Sequence, residues 1–308
     1  MAEADENIII GVDTGNRCIK TVSHAFVSGL KSFDTRPAFQ NNLLEYDGGF
    51  FVPSNERIAY LQDKTQSDDY FILSLIAIAK EIETRKIPTE RPISILLGVG
   101  LPPSHLPRLR DRFRDYFNRG GVTFTFNKHP YAISIADVTV FAQGYAAIFA
   151  DYETIKKEQS AYIVDIGGYT TDIIALRYGQ VDPAFCQSLD FGLIHLYNEI
   201  GLHIHNHFGR RPNEDQIDCM LSENTDLIDG MLGIASENAE RYVFEMLRRI
   251  EELGVDLTLN RGIFIGGGAA RLENYICNSG LVRNPMFLRD IHANACGYEA
   301  FLHSLHSC

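Results

Sequence analysis

Apolar positions along the chain fall into short β-branched runs and longer stripes at helical spacing. Residues 8–12 (IIIGV) are a short apolar run that predicts a buried strand, and the alternating residues 17–23 predict its hairpin partner. Over 68–86 the spacing predicts a helix with Phe71, Leu75, Ile78 and Ile82 on one face and Ser67 or Asp68 capping its start. Pro88 and Pro92 break that pattern. ISILLGVGLP (93–102) then predicts a second buried strand, followed by a basic helix over 108–117. Residues 28–66 are mixed, with turn signals at Asp47-Gly48-Gly49 and Pro53-Ser54-Asn55.

The pattern continues with strands at 122–126 and 133–141 and a helix over 142–157. SAYIVDIGGYTTDIIALRYGQVD (160–182) reads as strand, glycine turn, strand and a further turn. Residues 190–225 read as broken helix, interrupted at Gly192, Gly201 and Pro212. The clearest helix covers 236–254, where Ala239, Tyr242, Val243, Met246, Leu247, Ile250 and Leu253 form one stripe and Gly254 suits the C-terminal cap. RGIFIGGGAARLENYI (261–276) is a strand, a triple-glycine turn and a helix start, and ANACGYEAFLHSL near the end is helical. Interleaved strands and helices of this kind predict an α/β architecture.

One segment repeats another. GVDTGNRCIKTV laid over IVDIGGYTTDII pairs Val12 with Val164, Asp13 with Asp165 and Gly15 with Gly167, about half a chain apart. Two lobes, each opening with a strand, an aspartate, a glycine turn and a strand, would account for the echo.

Composition narrows the class. The chain has 308 residues, 45% hydrophobic and 22% charged, enough for two lobes with separate cores. No apolar run reaches the roughly 20 residues needed to span a bilayer. The start, MAEADEN, lacks the basic-then-apolar pattern of a signal peptide. The six cysteines contain no C-x-x-C pair and read as reduced thiols of a cytoplasmic protein. A formal net charge of −12 argues against direct binding to nucleic acid or an anionic membrane, so any contact with DNA calls for an adaptor.

The turns suit phosphate chemistry. Glycine admits φ > 0 and leaves no Cβ in the way, so successive backbone N–H groups can cradle an anion. A carboxylate at the strand end would repel phosphate unless Mg²⁺ lay between them. Lys20 can return along the second strand to meet a phosphate, whereas the corresponding position of the second copy is Asp172. An ordinary β-hairpin accounts for either turn alone. The aspartic-protease motif also contains D-T-G, but it requires Ser or Thr next, and Asn16 follows. Gly266-Gly267-Gly268 does not complete G-x-G-x-x-G, and too little chain follows it for a dinucleotide-binding sheet.

The ordered set is more specific than its members. IGVDTGNRCIK, DVTVFAQGYAA, YIVDIGGYTTD, IFIGGGAARL and HANACGYEAF resemble the phosphate-one, connect-one, phosphate-two, adenosine and connect-two motifs of the actin, sugar-kinase and heat-shock-chaperone ATPase superfamily. They occur in the family's order and cover essentially the whole chain. FVPSNERIAYLQDKTQSDDYFILSLIAIAKEI with GVGLPPSHL is similar to the N-terminal half of ParM-type bacterial and plasmid actin-like proteins.

That resemblance implies two ribonuclease-H-like lobes with a nucleotide cleft between them. Lobe I would cover 1–157 with an insertion at about 30–90, and lobe II 158–308 with an insertion at about 196–258. It implies ATP, with GTP as the alternative, and Mg²⁺ held by Asp13 and Asp165. Thr14, Gly15, Asn16 and Lys20 would meet the β- and γ-phosphates, and Gly167, Gly168, Tyr169 and Thr170 would form the opposing loop. Gln143 would orient the attacking water and Asp165 would assist it. Gly266, Gly267 and Gly268 would pack along the adenosine or α-phosphate, with Glu237 and Arg241 at the purine. The implied activity is slow ATP hydrolysis by a polymerising protein that segregates plasmid DNA, or other cargo, through a DNA-binding adaptor. A small-molecule kinase and a non-polymerising scaffold are the alternatives. His203, His205 and His207 read as a surface loop, and the arginines of 108–117 as a solvated face.

Overall fold

A computed structural model describes residues 7–38, 40–222 and 229–306. The chain divides into two compact units, one of Met1–Ala150 with His292–Cys308 and the other of Asp151–Ile291.

The first unit is built on strands β1 (Ile8–Thr14), β2 (Cys18–Lys20), β3 (Ala25–Val27), β4 (Leu30–Phe33), β5 (Leu44–Tyr46), β6 (Gly49–Pro53), β7 (Ile93–Leu101), β8 (Gly121–Phe126) and β9 (His129–Ala142). They form one sheet in the order β3-β2-β1-β7-β9-β8-β5-β6-β4. β1, β7 and β9 run parallel at its centre, where strands buried on both faces are near-continuously apolar. Asp47 and Gly48 both take positive φ in the turn joining β5 to β6, as a two-residue hairpin loop requires. Helix α1 (Asp69–Thr84) is buried on every side from Tyr70 to Ala79, so the expected single apolar face is one part of a helix enclosed by core. Helix α2 (Leu106–Phe117) buries Leu109, Phe113 and Phe117 and turns its arginines outward.

The second unit carries β10 (Ala161–Ile166), β11 (Thr171–Arg177), β12 (Gln180–Leu189), β13 (Arg261–Ile265) and β14 (Met286–Phe287), in the order β12-β11-β10-β13-β14. Its helices are α3 (Tyr152–Ile155), α4 (Leu193–Phe208), α5 (Glu214–Leu221), α6 (Asp229–Glu252) and α7 (Gly266–Asn278). The sequence echo extends to topology. β3-β2-β1-β7-β9 and β12-β11-β10-β13-β14 share the same succession of antiparallel, antiparallel, parallel and parallel pairings.

Four expectations are corrected. The last helix, α8 (Ala293–His306), belongs to the first unit and not to the second. Glycines on the neighbouring strands admit it: a Cβ at Gly11 would overlap the Ala295 carbonyl, and one at Gly98 would lie 2.8 Å from Tyr298 Cβ. The expected helix over 142–157 is instead a left-handed turn at Gly144, a 3₁₀ segment Ala146–Asp151 and the short α3. Gly201 does not interrupt α4. Burial of Ile200 and Ile204 outweighs its low helix propensity, and its missing Cβ makes room for Arg211. His203, His205 and His207 therefore lie in the last turns of that helix and not in a loop, with His207 Nδ1 2.9 Å from the His203 carbonyl. Among the described residues, no three His, Cys, Asp or Glu side chains are grouped to hold a metal, and no helix is long and apolar enough to cross a membrane.

Candidate functional site

The two echoed turns have the same length. Asp13 pairs with Lys20 and Thr14 with Ile19 across the first hairpin; Asp165 pairs with Asp172 and Ile166 with Thr171 across the second. Each hairpin therefore closes with four residues, Gly15 to Cys18 in one and Gly167 to Thr170 in the other. Register alone places an aspartate at the same point of both strands.

In the first unit this aspartate gathers the other candidates. Asp13 is only 2% exposed. One carboxylate oxygen accepts from Lys20 Nζ at 3.2 Å and the other from Gln143 Nε2 at 2.9 Å. A buried carboxylate can only accept, so this bond fixes which end of the Gln143 amide faces Asp13 and turns Oε1 elsewhere. Gln143 itself is set by its backbone N–H to the Leu101 carbonyl at 2.9 Å, and Asn294 Oδ1 of α8 accepts from the Gly144 N–H at 2.9 Å. The turn is gripped from below: Ser28 Oγ donates to the Gly15 carbonyl at 2.5 Å, Tyr70 Oη donates to Asn16 Oδ1 at 3.2 Å, and Lys64 Nζ donates to the Thr14 carbonyl.

Beneath Asp13 lies a charged network. Glu81, fully buried, accepts from Thr21 Oγ1 at 2.5 Å, the Ser23 N–H at 2.8 Å and Arg85 Nε at 2.8 Å. Arg85 also donates to the Ile9 carbonyl at 2.7 Å and to Glu299 Oε1 at 2.6 Å, and that oxygen accepts the Gly11 N–H at 2.9 Å. Burial pushes both carboxyls up. For Glu81 the hydrogen bonds from Thr21 and Ser23 and the Arg85 charge reverse this and leave it below its ordinary value. For Glu299 burial prevails and the carboxyl stays raised.

In the second unit the Gly167 and Gly168 carbonyls accept from the N–H groups of Leu193 and Ile194 at 3.0 and 2.9 Å, so the second turn is docked on the first turn of α4. Gly192 is part of this docking, because a Cβ there would overlap Tyr169 and Gly168. Thr170 Oγ1 donates to Asp172 Oδ2 at 3.3 Å. Gly266 takes φ +86°, and a Cβ on it would overlap Asp165 Oδ1; one on Gly268 would overlap Ile166. A Cβ at Gly267 would meet Arg271 Nη1 at 3.6 Å, an ordinary contact. The three glycines thus divide in role. Gly266 and Gly268 let α7 start against β10, and Gly267 tolerates a Cβ at ordinary contact distance. Gly268→Ala should cost the second unit about 1–3 kcal/mol through overpacking, read by urea denaturation, while Gly267→Ala should leave that transition in place.

Glu237 and Arg241 lie exposed on α6. Arg241 Nη2 bonds Asn238 at 2.5 Å and Glu199 at 3.3 Å, which joins α6 to α4 at the surface. The structure brings Asp13, Lys20 and Gln143 together, and separately Asp165, the 167–170 turn and the glycines of α7. Pattern reading missed Lys64, Tyr70 and the Glu81–Arg85–Glu299 network. The available signal was a lysine and an arginine in otherwise buried or capping positions beside α1.

The residues present fit a phosphate ligand with a divalent cation. Asp165 and Asp172 stand directly opposite on adjacent strands, which like charges disfavour and a cation relieves. Thr14 Oγ1 is buried with no hydrogen-bond partner among the described residues.

Residues 11–145 match the family described as actin-like proteins, N-terminal domain. No curated protein sequence matches the chain. Among solved structures it is similar to a subunit of a 15-stranded ParM filament from Clostridium botulinum, at 19% identity and a TM-score of 0.76 over 96% of this chain and 99% of that one. It is similar also to Ta0583, an archaeal actin homologue, at 18% identity and a TM-score of 0.77 over 96% and 99%. The same homologue in complex with ADP gives 17% identity and a TM-score of 0.72 over 96% and 99%. Residues 11–145 thus match the N-terminal domain of the actin-like proteins, and the chain over nearly its whole length has the actin-like fold.

Proposed function

We propose that the chain is an ATPase that binds ATP and Mg²⁺ at the two echoed turns, polymerises in the ATP state and moves plasmid DNA or other cargo through an adaptor protein in the cytoplasm. The observation that carries this reading is the Asp13–Lys20–Gln143 cluster at the mouth of a glycine turn, a combination that suits phosphoryl transfer to water. Bound Mg²⁺ supplies neutralisation of the phosphate oxygens, with Asp13 and Asp165 as its holders. Lys20 adds a point charge beside the turn. Gln143 is far too weakly basic to remove a proton; its amide nitrogen is anchored on Asp13, and its Oε1 would accept from the attacking water and orient it. An enzyme that relies on positioning and charge neutralisation without a strong base turns over slowly, which suits a filament whose lifetime is timed by hydrolysis.

Assembly is supported by the likeness to a subunit of a ParM filament. The adaptor is supported by the net charge of −12, which disfavours direct contact with DNA. Sedimentation and light scattering with and without ATP test the reading. Polymer should appear with ATP and Mg²⁺ and disappear as phosphate is released. Its absence over a wide range of protein concentration and salt would remove the filament part of the proposal.

A further inference from the structure

We propose that Lys64, which lies outside all five motifs, is a phosphate-affinity residue of the first turn. Its side chain enters the protein from a short 3₁₀ turn, Lys64–Gln66, just ahead of α1, and the residue is only 7% exposed. Asp63 fixes that turn: Oδ1 accepts the Thr65 N–H at 3.0 Å, and Oδ2 pairs with Arg112 at 2.8 Å. Lys64 Nζ then lies 5.0 Å from the centre of the Tyr70 ring and donates to the Thr14 carbonyl, while Tyr70 Oη bonds Asn16. Lys64 and Tyr70 thus hold both ends of the Thr14–Asn16 segment from one side.

The consequence follows from the planarity of the peptide. In a trans peptide the C=O and the next N–H point in opposite directions. The ammonium draws the Thr14 carbonyl inward, so the Gly15 N–H is directed away from Lys64. Gly15 has no room for a side chain, since a Cβ would lie 2.7 Å from the Cys18 carbonyl, so its amide is the group it offers. The buried ammonium also places positive charge under the turn where water screens it little, which favours an anionic ligand above it. Lys64 therefore acts twice, orienting an N–H donor and raising the local potential, without touching the ligand.

This inference rests on the nucleotide-binding reading, and its test separates the two. ADP and adenosine are titrated against the full-length chain and Lys64→Met, with thermal unfolding recorded for both. ADP binding to the variant should weaken about tenfold or more, the worth of a hydrogen bond to a charged group, while adenosine binding stays within about twofold. Tyr70→Phe, which keeps the ring and removes the hydroxyl bonded to Asn16, should weaken ADP in the same direction by less. If Lys64→Met does not fold, Lys64→Gln, which keeps a donor for the Thr14 carbonyl but no charge, should weaken ADP and spare adenosine, and unchanged ADP affinity there overturns the role. Equal loss of ADP and adenosine, or unchanged ADP affinity in a folded variant, would overturn the role of Lys64. Failure of the unmodified chain to bind ADP at all would overturn the nucleotide reading itself.

Discussion

Arg85→Met should destabilise the first unit by about 3–5 kcal/mol, the cost of removing one partner from a buried charged cluster. Arg85 joins Glu81 to Glu299 and also holds the Ile9 carbonyl of β1. Without it Glu81 keeps its hydrogen bonds from Thr21 and Ser23 but loses both the Arg85 bond and its counter-charge in a fully buried position. α8 would lose an anchor to α1, and the loss should appear as a lower urea midpoint. Glu299→Gln is the comparison: it retains an oxygen for the Gly11 N–H and for Arg85 and should cost much less. The pH dependence separates the two carboxyls. Glu81, lowered in the folded state, contributes stability that is present above its ordinary value and is lost as pH falls through its folded value. Glu299, raised in the folded state, contributes in the opposite sense, with stability present below its ordinary value and lost as pH rises through the folded one. Acid unfolding of Glu81→Gln should therefore be flatter below the ordinary carboxylate range than that of the unmodified chain. An unchanged acid limb would show that Glu81 does not contribute.

Gln143→Ala should slow ATP hydrolysis by about a hundredfold or more while leaving much of the nucleotide affinity, because in the proposed cycle the amide acts on the water and not on the phosphates. Asp165→Ala should slow it similarly. Filaments of both variants should outlast those of the unmodified chain, since hydrolysis sets their lifetime in the proposed cycle. Single-turnover phosphate release followed alongside light scattering reads both quantities. Unchanged phosphate release in both variants would refute the assigned roles. The bond between Gln143 Nε2 and Asp13 adds a sharper expectation. Asp13→Asn should impair hydrolysis beyond the loss of a metal-holding charge, because an asparagine can present its own amide N–H₂ to Gln143 and turn the Gln143 amide over.

The legible parts of this protein are those that local chemistry dictates. Short β-branched apolar runs bounded by turn residues point to buried strands, and the stripe from Ala239 to Leu253 falls on one face of a helix. The echo of Asp13 at Asp165 was readable because a strand, a carboxylate and a glycine turn must recur at fixed offsets to recur in space, and the two hairpins have the same register. Other readings failed where a distant contact overruled a local preference. Gly201 reads as a helix breaker, but the buried neighbours on either side hold the helix through it. The three histidines looked like a loop for the same reason. Residues 142–157 have helical composition, but Gly144 adopts a left-handed conformation that starts a different path.

The α/β alternation, the repeated turn and the acidic charge are legible in the chain alone, because each depends on neighbours within one element or on composition. Long-range packing places α8 in the first unit, clamps Gln143 to Asp13, and seats Lys64 against the first turn and Arg85 against the first strand. Those partners lie far apart along the chain, as Gln143 does from Asp13 and Glu299 from Arg85. No local periodicity encodes such pairs; they form only when packing brings their elements together and burial makes an unanswered charge too costly to leave.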